Sequence, residues 1–145
     1  MTLTRNTPIP HFDTFYKYDE LTQLLSAYAQ THPTLVSMAS MGKSYEGRDI
    51  WVVSLTNSAT GADTDKPAFW ADGNIHAAEL TASTAVLYYL HQLVDGYGKD
   101  AAITHLLDTR TVYLCPRLNP DGAELALGDK PRHIRSSTRR YPFDE

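Results

Sequence analysis

The residues best suited to chemistry lie together in Gly73-Asn74-Ile75-His76-Ala77-Ala78-Glu79. An imidazole nitrogen and a carboxylate oxygen are both good zinc donors, and a three-residue spacing at the start of a helix can bring them to one ion. Placed on an ideal helix, Glu79 shares a side with Val86, Leu90 and Leu93, so it is expected on the packed face and in need of a cation. The plainer reading of the same pattern is an exposed loop histidine followed by a glutamate that favours the positive end of a helix dipole. Spacing alone leaves both open, because His-x-x-Glu is a frequent chance pattern. A second candidate is Arg135, a guanidinium able to meet developing negative charge; it sits among Lys130, Arg132, Arg139 and Arg140, where a solvated basic tail is the alternative.

The elements that must position these groups are legible from periodicity. Tyr18, Leu21, Leu25 and Tyr28 recur at helical spacing, with Asp19 and Glu20 in the first turn and Pro33 beyond the end, which predicts an amphipathic helix over 18–31. Two strands are expected at 35–41 and 49–56, joined as an antiparallel hairpin through the glycine-containing segment Gly42 to Arg48. Residues 67–71 read as a buried strand, Asp72-Gly73-Asn74 as its break, and 79–94 as a helix. A shorter helix near 100–107 leads to a strand at 109–115, which Asn119-Pro120-Asp121-Gly122 closes as a turn. Strand, crossover helix and strand imply a parallel pair. The expected class is α/β: a mixed sheet with an antiparallel hairpin leading into parallel interior strands, and helices on both faces. Ligands gather at the carboxyl ends of such strands, where the loops of His76 and Asn119 both emerge.

Composition narrows the classes of function. With 145 residues and 42% hydrophobic content the chain can bury a core. Thirteen Lys plus Arg against 17 Asp plus Glu give a net charge of −4, which offers no general attraction for nucleic acid or an anionic membrane. No apolar run suits a signal peptide or a spanning helix, so a soluble, unexported, cytoplasmic chain is expected. The single cysteine, Cys115, has Val112, Tyr113 and Leu114 for neighbours and is expected to be a buried thiol.

Four segments in order resemble landmarks of the zinc carboxypeptidases related to pancreatic carboxypeptidase A: Gly42 to Ile50, Asp72 to Glu79, Leu118 to Gly122, and Ile134 to Arg139. The similarity runs from Tyr16 onward, and four ordered landmarks are far more specific than one. The related acylamino-acid deacylases share the His-x-x-Glu pair and form the nearest alternative; Asn119-Pro120-Asp121-Gly122 and Arg135-Ser136-Ser137 favour the peptidases. A non-catalytic interaction module built on the same core is the alternative from another class. The resemblance implies hydrolysis of C-terminal peptide bonds in peptide or peptide-like substrates, with one zinc ion held by His76 and Glu79 as its first two ligands. It also implies that Arg135 stabilises the oxyanion of the attacked carbonyl.

Two departures qualify this. Ala78 stands where pancreatic-type members carry an arginine before the ligand glutamate. The family's third zinc histidine, its carboxylate-binding Asn-Arg pair, a tyrosine and a general-base glutamate have no match here and are expected beyond Glu145. His91 lies more than three helical turns past Glu79, and His105 and His133, like His11 and His32, are read as surface or core histidines. The chain is therefore expected to be the N-terminal portion of a catalytic domain, with a leader at 1–15, a folded part at 16–128 and a flexible tail or unfinished loop at 129–145. Such a portion is expected to be inactive alone, to hold zinc weakly, and to self-associate through an exposed sheet edge.

Overall fold

The computed structural model describes residues 9–135. The leader before Ile9 and the segment after Arg135, which includes Ser136, Ser137 and Arg139, lie outside the described residues.

Helix α1 (Tyr18–Thr31) forms where its periodicity predicts, burying Leu21, Leu25 and Tyr28. The Lys17 N–H donates to Glu20 Oε2 at 2.7 Å, satisfying one of the free donors at the helix start. Strands β1 (Val36–Lys43) and β2 (Asp49–Leu55) pair antiparallel, with the register shifting between Ser40 and Lys43. Gly47, at φ 85°, allows the intervening turn to close with Ser44 N–H on Arg48 O at 2.8 Å. Two short 3₁₀ turns (Ser58–Thr60 and Asp63–Asp65) lead to β3 (Ala68–Asp72). Helices α2 (Leu80–Gly96) and α3 (Ala101–Thr109) form the crossover to β4 (Thr111–Cys115).

The strand order is β1-β2-β4-β3. The predicted parallel pair is β3–β4, while β4 pairs antiparallel with β2, so β4 is where the sheet changes direction. Among the described residues β3 is an edge strand. It was expected to be buried; instead Phe69 and Trp70 are exposed, because an apolar run does not reveal whether a strand has a neighbour on each side.

The pairing register fixes which side chains share a face. Val36, Val53, Leu55, Val112 and Leu114 fall on one face and enter a single core with Leu21, Leu25, Tyr28, Leu87, Leu90, Leu93 and Leu107. Helices α1, α2 and α3 thus cover the same face, and the Tyr28 hydroxyl meets His91 Nδ1 at 2.9 Å to tie α1 to α2. On the opposite face, Thr111 and Tyr113 donate to Asp63 of the loop between β2 and β3. Cys115 is buried as expected, and burial pushes its thiol up to about 11. No described helix is long and apolar enough to cross a membrane.

Asn119-Pro120-Asp121-Gly122 does not simply close β4. It opens a further helix, α4 (Pro120–Leu127), in which Asn119 caps the start by accepting from the Gly122 N–H at 3.0 Å and Pro120 takes the first helical position. The same four residue types serve a turn or a helix start, and the Ala-Glu-Leu-Ala-Leu continuation decides for the helix.

Candidate metal half-site at the ends of β3 and β4

The loop from β3 to α2 is shaped by a few backbone constraints. Asn74 adopts φ 57°, a left-handed conformation that asparagine tolerates better than most residues. Its buried side-chain amide donates to the carbonyls of His76 at 2.8 Å and Ala77 at 3.1 Å, holding the loop in a fixed curl. Gly73 is required by contact: a Cβ there would lie 2.6 Å from the Ala82 carbonyl oxygen of α2.

The loop after β4 braces the first. Leu118 N–H donates to Gly73 O at 2.9 Å, Asn119 N–H to Asn74 O at 3.1 Å, and the Asn119 side chain to Ile75 O at 3.3 Å. Gly122 brings α4 against the curl, since a Cβ on it would come within 2.4 Å of the Ala77 Cβ. Leu80, Ala123 and Ala126 form a small separate core at this junction.

Asp121 links the same junction to the β1–β2 turn. It is 4% exposed. Its carboxylate accepts from Ser44 Oγ at 2.7 Å, the Glu46 N–H at 3.0 Å and Arg48 Nη1 at 2.8 Å. Burial acts to raise this carboxyl, but the Glu46 N–H, the Ser44 hydroxyl and the Arg48 guanidinium together outweigh it and hold the group below its ordinary value. Two sequence landmarks, Ser44 to Arg48 and Asn119 to Gly122, are therefore two halves of one packing unit.

On this frame His76 Nδ1 and Glu79 Oε2 converge to 2.8 Å. The two side chains face each other at the start of α2. Glu79 does not lie on the packed face of α2 as its helical position suggested. It is the residue before the helix, at φ −88° and ψ 60°, so the helical wheel does not apply to it, and its side chain is 54% exposed. The need to neutralise a buried charge therefore drops out of the argument. The hydrogen bond from His76, aided by the charge of Arg135, holds the Glu79 carboxyl below its ordinary value.

Arg135 also reaches this point. Its Nε lies 3.6 Å from Glu79 Oε1 and its Nη2 3.5 Å from His76 Nδ1. Its carbonyl accepts from the Ala77 N–H at 3.1 Å, which fixes the segment to the loop although the side chain is 76% exposed. The three site residues selected from the sequence thus meet in one place.

The donor set fits a metal in part. An imidazole nitrogen and a carboxylate oxygen, both accessible to solvent, meet as a hydrogen-bonded pair at 2.8 Å, and they would part to about 3.3 Å to share one tetrahedral ion. Among the described residues no group of three or more His, Cys, Asp or Glu is placed to hold a metal. His91 is engaged with Tyr28, away from the pair.

The supporting residues Gly73, Asn74, Asp121 and Gly122 have roles that sequence reasoning did not assign. The available signal was the Gly-Asn pair directly after a strand, which marks a left-handed turn with close backbone approach.

Residues 21–142 match the family profile described as zinc carboxypeptidase. The chain is 34% identical over 110 residues to a zinc carboxypeptidase of Saccharothrix mutabilis subsp. capreolus, covering 76% of this chain and 25% of that protein. It is 36% identical over 112 residues to carboxypeptidase A2 of Rattus norvegicus, covering 77% and 26%. The carboxypeptidase A structure from Helicoverpa armigera superposes with a TM-score of 0.77 at 27% identity, covering 93% of this chain and 31% of the other. The chain spans about a quarter of the length of the two curated relatives.

Proposed function

Since the chain belongs to the zinc carboxypeptidase family, we propose that it supplies the first two metal ligands, His76 and Glu79, and the oxyanion-stabilising group, Arg135, of an enzyme that hydrolyses C-terminal peptide bonds. The observation that carries this reading is the approach of His76 Nδ1 and Glu79 Oε2 to 2.8 Å, with Arg135 directed at both. Zinc bound there, with ligands beyond these two, supplies Lewis acidity toward the scissile carbonyl.

The chain's own residues do the rest of what can be assigned to them. His76 presents Nδ1, held by a loop whose carbonyls are fixed by Asn74. Glu79 presents a carboxylate kept ionised by its neighbours. The Arg135 guanidinium offers N–H donors to a carbonyl oxygen as negative charge develops on it, an interaction stronger in the transition state than in the ground state. Peptide or peptide-like chains are the substrate class.

The test uses the natural protein containing this chain, purified with zinc. It is expected to release the C-terminal residue from N-blocked dipeptides, to lose that activity on chelation, and to regain it with zinc. Chelator-insensitive release, or no release under any of these conditions, would overturn the proposal.

A further inference from the structure

Arg117, immediately after β4, is 4% exposed and carries a charge into the protein interior. Its Nη2 donates to Tyr16 O at 2.8 Å. Nη1 lies 3.7 Å from Glu124 Oε1, an ion pair beyond hydrogen-bond distance, and among the described residues neither Nη1 nor Nε has a hydrogen-bond partner. Glu124 is itself engaged, accepting from the Tyr18 N–H at 2.7 Å. Leaving donors of a buried cation unpaired is unusual, and such groups are generally served by something the chain itself does not provide.

Arg117 also lines a small, partly open cavity of about 10 Å³. Leu21, Leu25 and Trp51 form its apolar side, and Tyr18 and Asp49 line it with Arg117. The Tyr18 hydroxyl donates to Asp49 O at 3.1 Å, so a hydroxyl and a carbonyl oxygen belong to residues that line the cavity with Arg117. At about 10 Å³ the space is at the lower limit of roughly 10–15 Å³ for one water and has no room for more. A side chain, a carboxylate or an inorganic oxyanion is too large for it. Charge points the same way, because Glu124 already stands near the guanidinium and no second anion is required.

We propose that this cavity is a binding site for one structural water molecule, which accepts a hydrogen bond from the Arg117 guanidinium and donates toward the Tyr18–Asp49 pair. The hydrated arginine then joins three elements at one point: Tyr16 at the start of α1, the end of β4, and the Tyr18–Asp49 contact between α1 and β2. Arg117 precedes Leu118 and Asn119, whose N–H groups brace Gly73 and Asn74 beneath the His76 loop. The water site therefore steadies the frame of the metal half-site without touching it.

The test begins with the unmodified ¹⁵N-labelled protein. The Arg117 Nε–H or Nη–H protons are expected to show dipolar cross-peaks to water whose signs in nuclear and rotating-frame Overhauser spectra are opposite, as for a water held longer than about a nanosecond. Arg117→Met, which removes the donors at similar length, is expected to lower the number of long-lived waters by one in oxygen-17 relaxation dispersion. Cross-peaks that are absent or arise only from proton exchange would overturn the proposal, and this result does not depend on the variant folding. A chloride titration supplies a further arm: saturable movement of the Arg117 Nε resonance would identify an anion as the occupant and refute the water.

Discussion

Replacing Asp121 by alanine removes one buried carboxylate and strands three donors at once: Ser44 Oγ, the Glu46 N–H and Arg48 Nη1. Hydrogen bonds to a charged group each contribute about 1.5–3 kcal/mol. Full additivity does not apply, because Arg48 is part-exposed and keeps Glu46 Oε2 at 2.6 Å. Counting the backbone and hydroxyl contacts in full and discounting the arginine gives a loss of about 3–6 kcal/mol, close to the roughly 3–5 kcal/mol for breaking a buried charged pair by removing one member. In the 145-residue chain, equilibrium urea unfolding is expected to show a lower midpoint at unchanged slope, and hydrogen exchange at the Glu46 N–H should rise more than exchange in α2.

Asp121→Asn adds a pH test. The folded-state carboxyl is held below its ordinary value, so its stabilising effect is present above the unfolded value of about 3.9 and is lost as pH falls through the lower folded value. The wild type should therefore lose its advantage over Asp121→Asn only below about pH 4. A change of less than about 0.5 kcal/mol for Asp121→Ala, the range of ordinary surface substitutions, with unaltered exchange at Glu46, would refute the reasoning.

Gly73→Ala forces a Cβ to within 2.6 Å of Ala82 O, and backbone cannot yield cheaply there; a loss of roughly 1–3 kcal/mol in chemical denaturation is expected. Arg135→Ala in the natural enzyme should lower kcat by about a hundredfold or more with little change in KM, and steady-state kinetics on blocked dipeptides decide it. The 145-residue chain alone should not release C-terminal residues, and it should self-associate through β3, where Phe69 and Trp70 are exposed at an open edge. Sedimentation velocity should show a concentration-dependent dimer that Phe69→Lys weakens at least tenfold.

The helix over Tyr18–Thr31 was readable to the residue, because a complete apolar stripe, acidic first-turn residues and a following proline all agree. The parallel β3–β4 pair was readable from the crossover between them. The antiparallel β2–β4 contact was not, since it joins strands 57 positions or more apart through hydrophobic faces that carry no label of their partner. Within the candidate site, residue types and order selected His76, Glu79 and Arg135, which the fold brings together. The placement of Glu79 was misjudged because one residue decides between the last position of a loop and the first turn of a helix. The work of Asp121 was invisible because its donors lie more than 70 positions away, in a turn that resembles any glycine-containing turn.

Zinc affinity measured by chelator competition tests the central claim most directly. The wild-type chain should bind zinc weakly, as expected for two matching ligands, and His76→Ala and Glu79→Ala should each reduce that affinity at least tenfold while Asp19→Ala leaves it unchanged. Equal zinc affinity in the wild type, His76→Ala and Glu79→Ala would contradict the account.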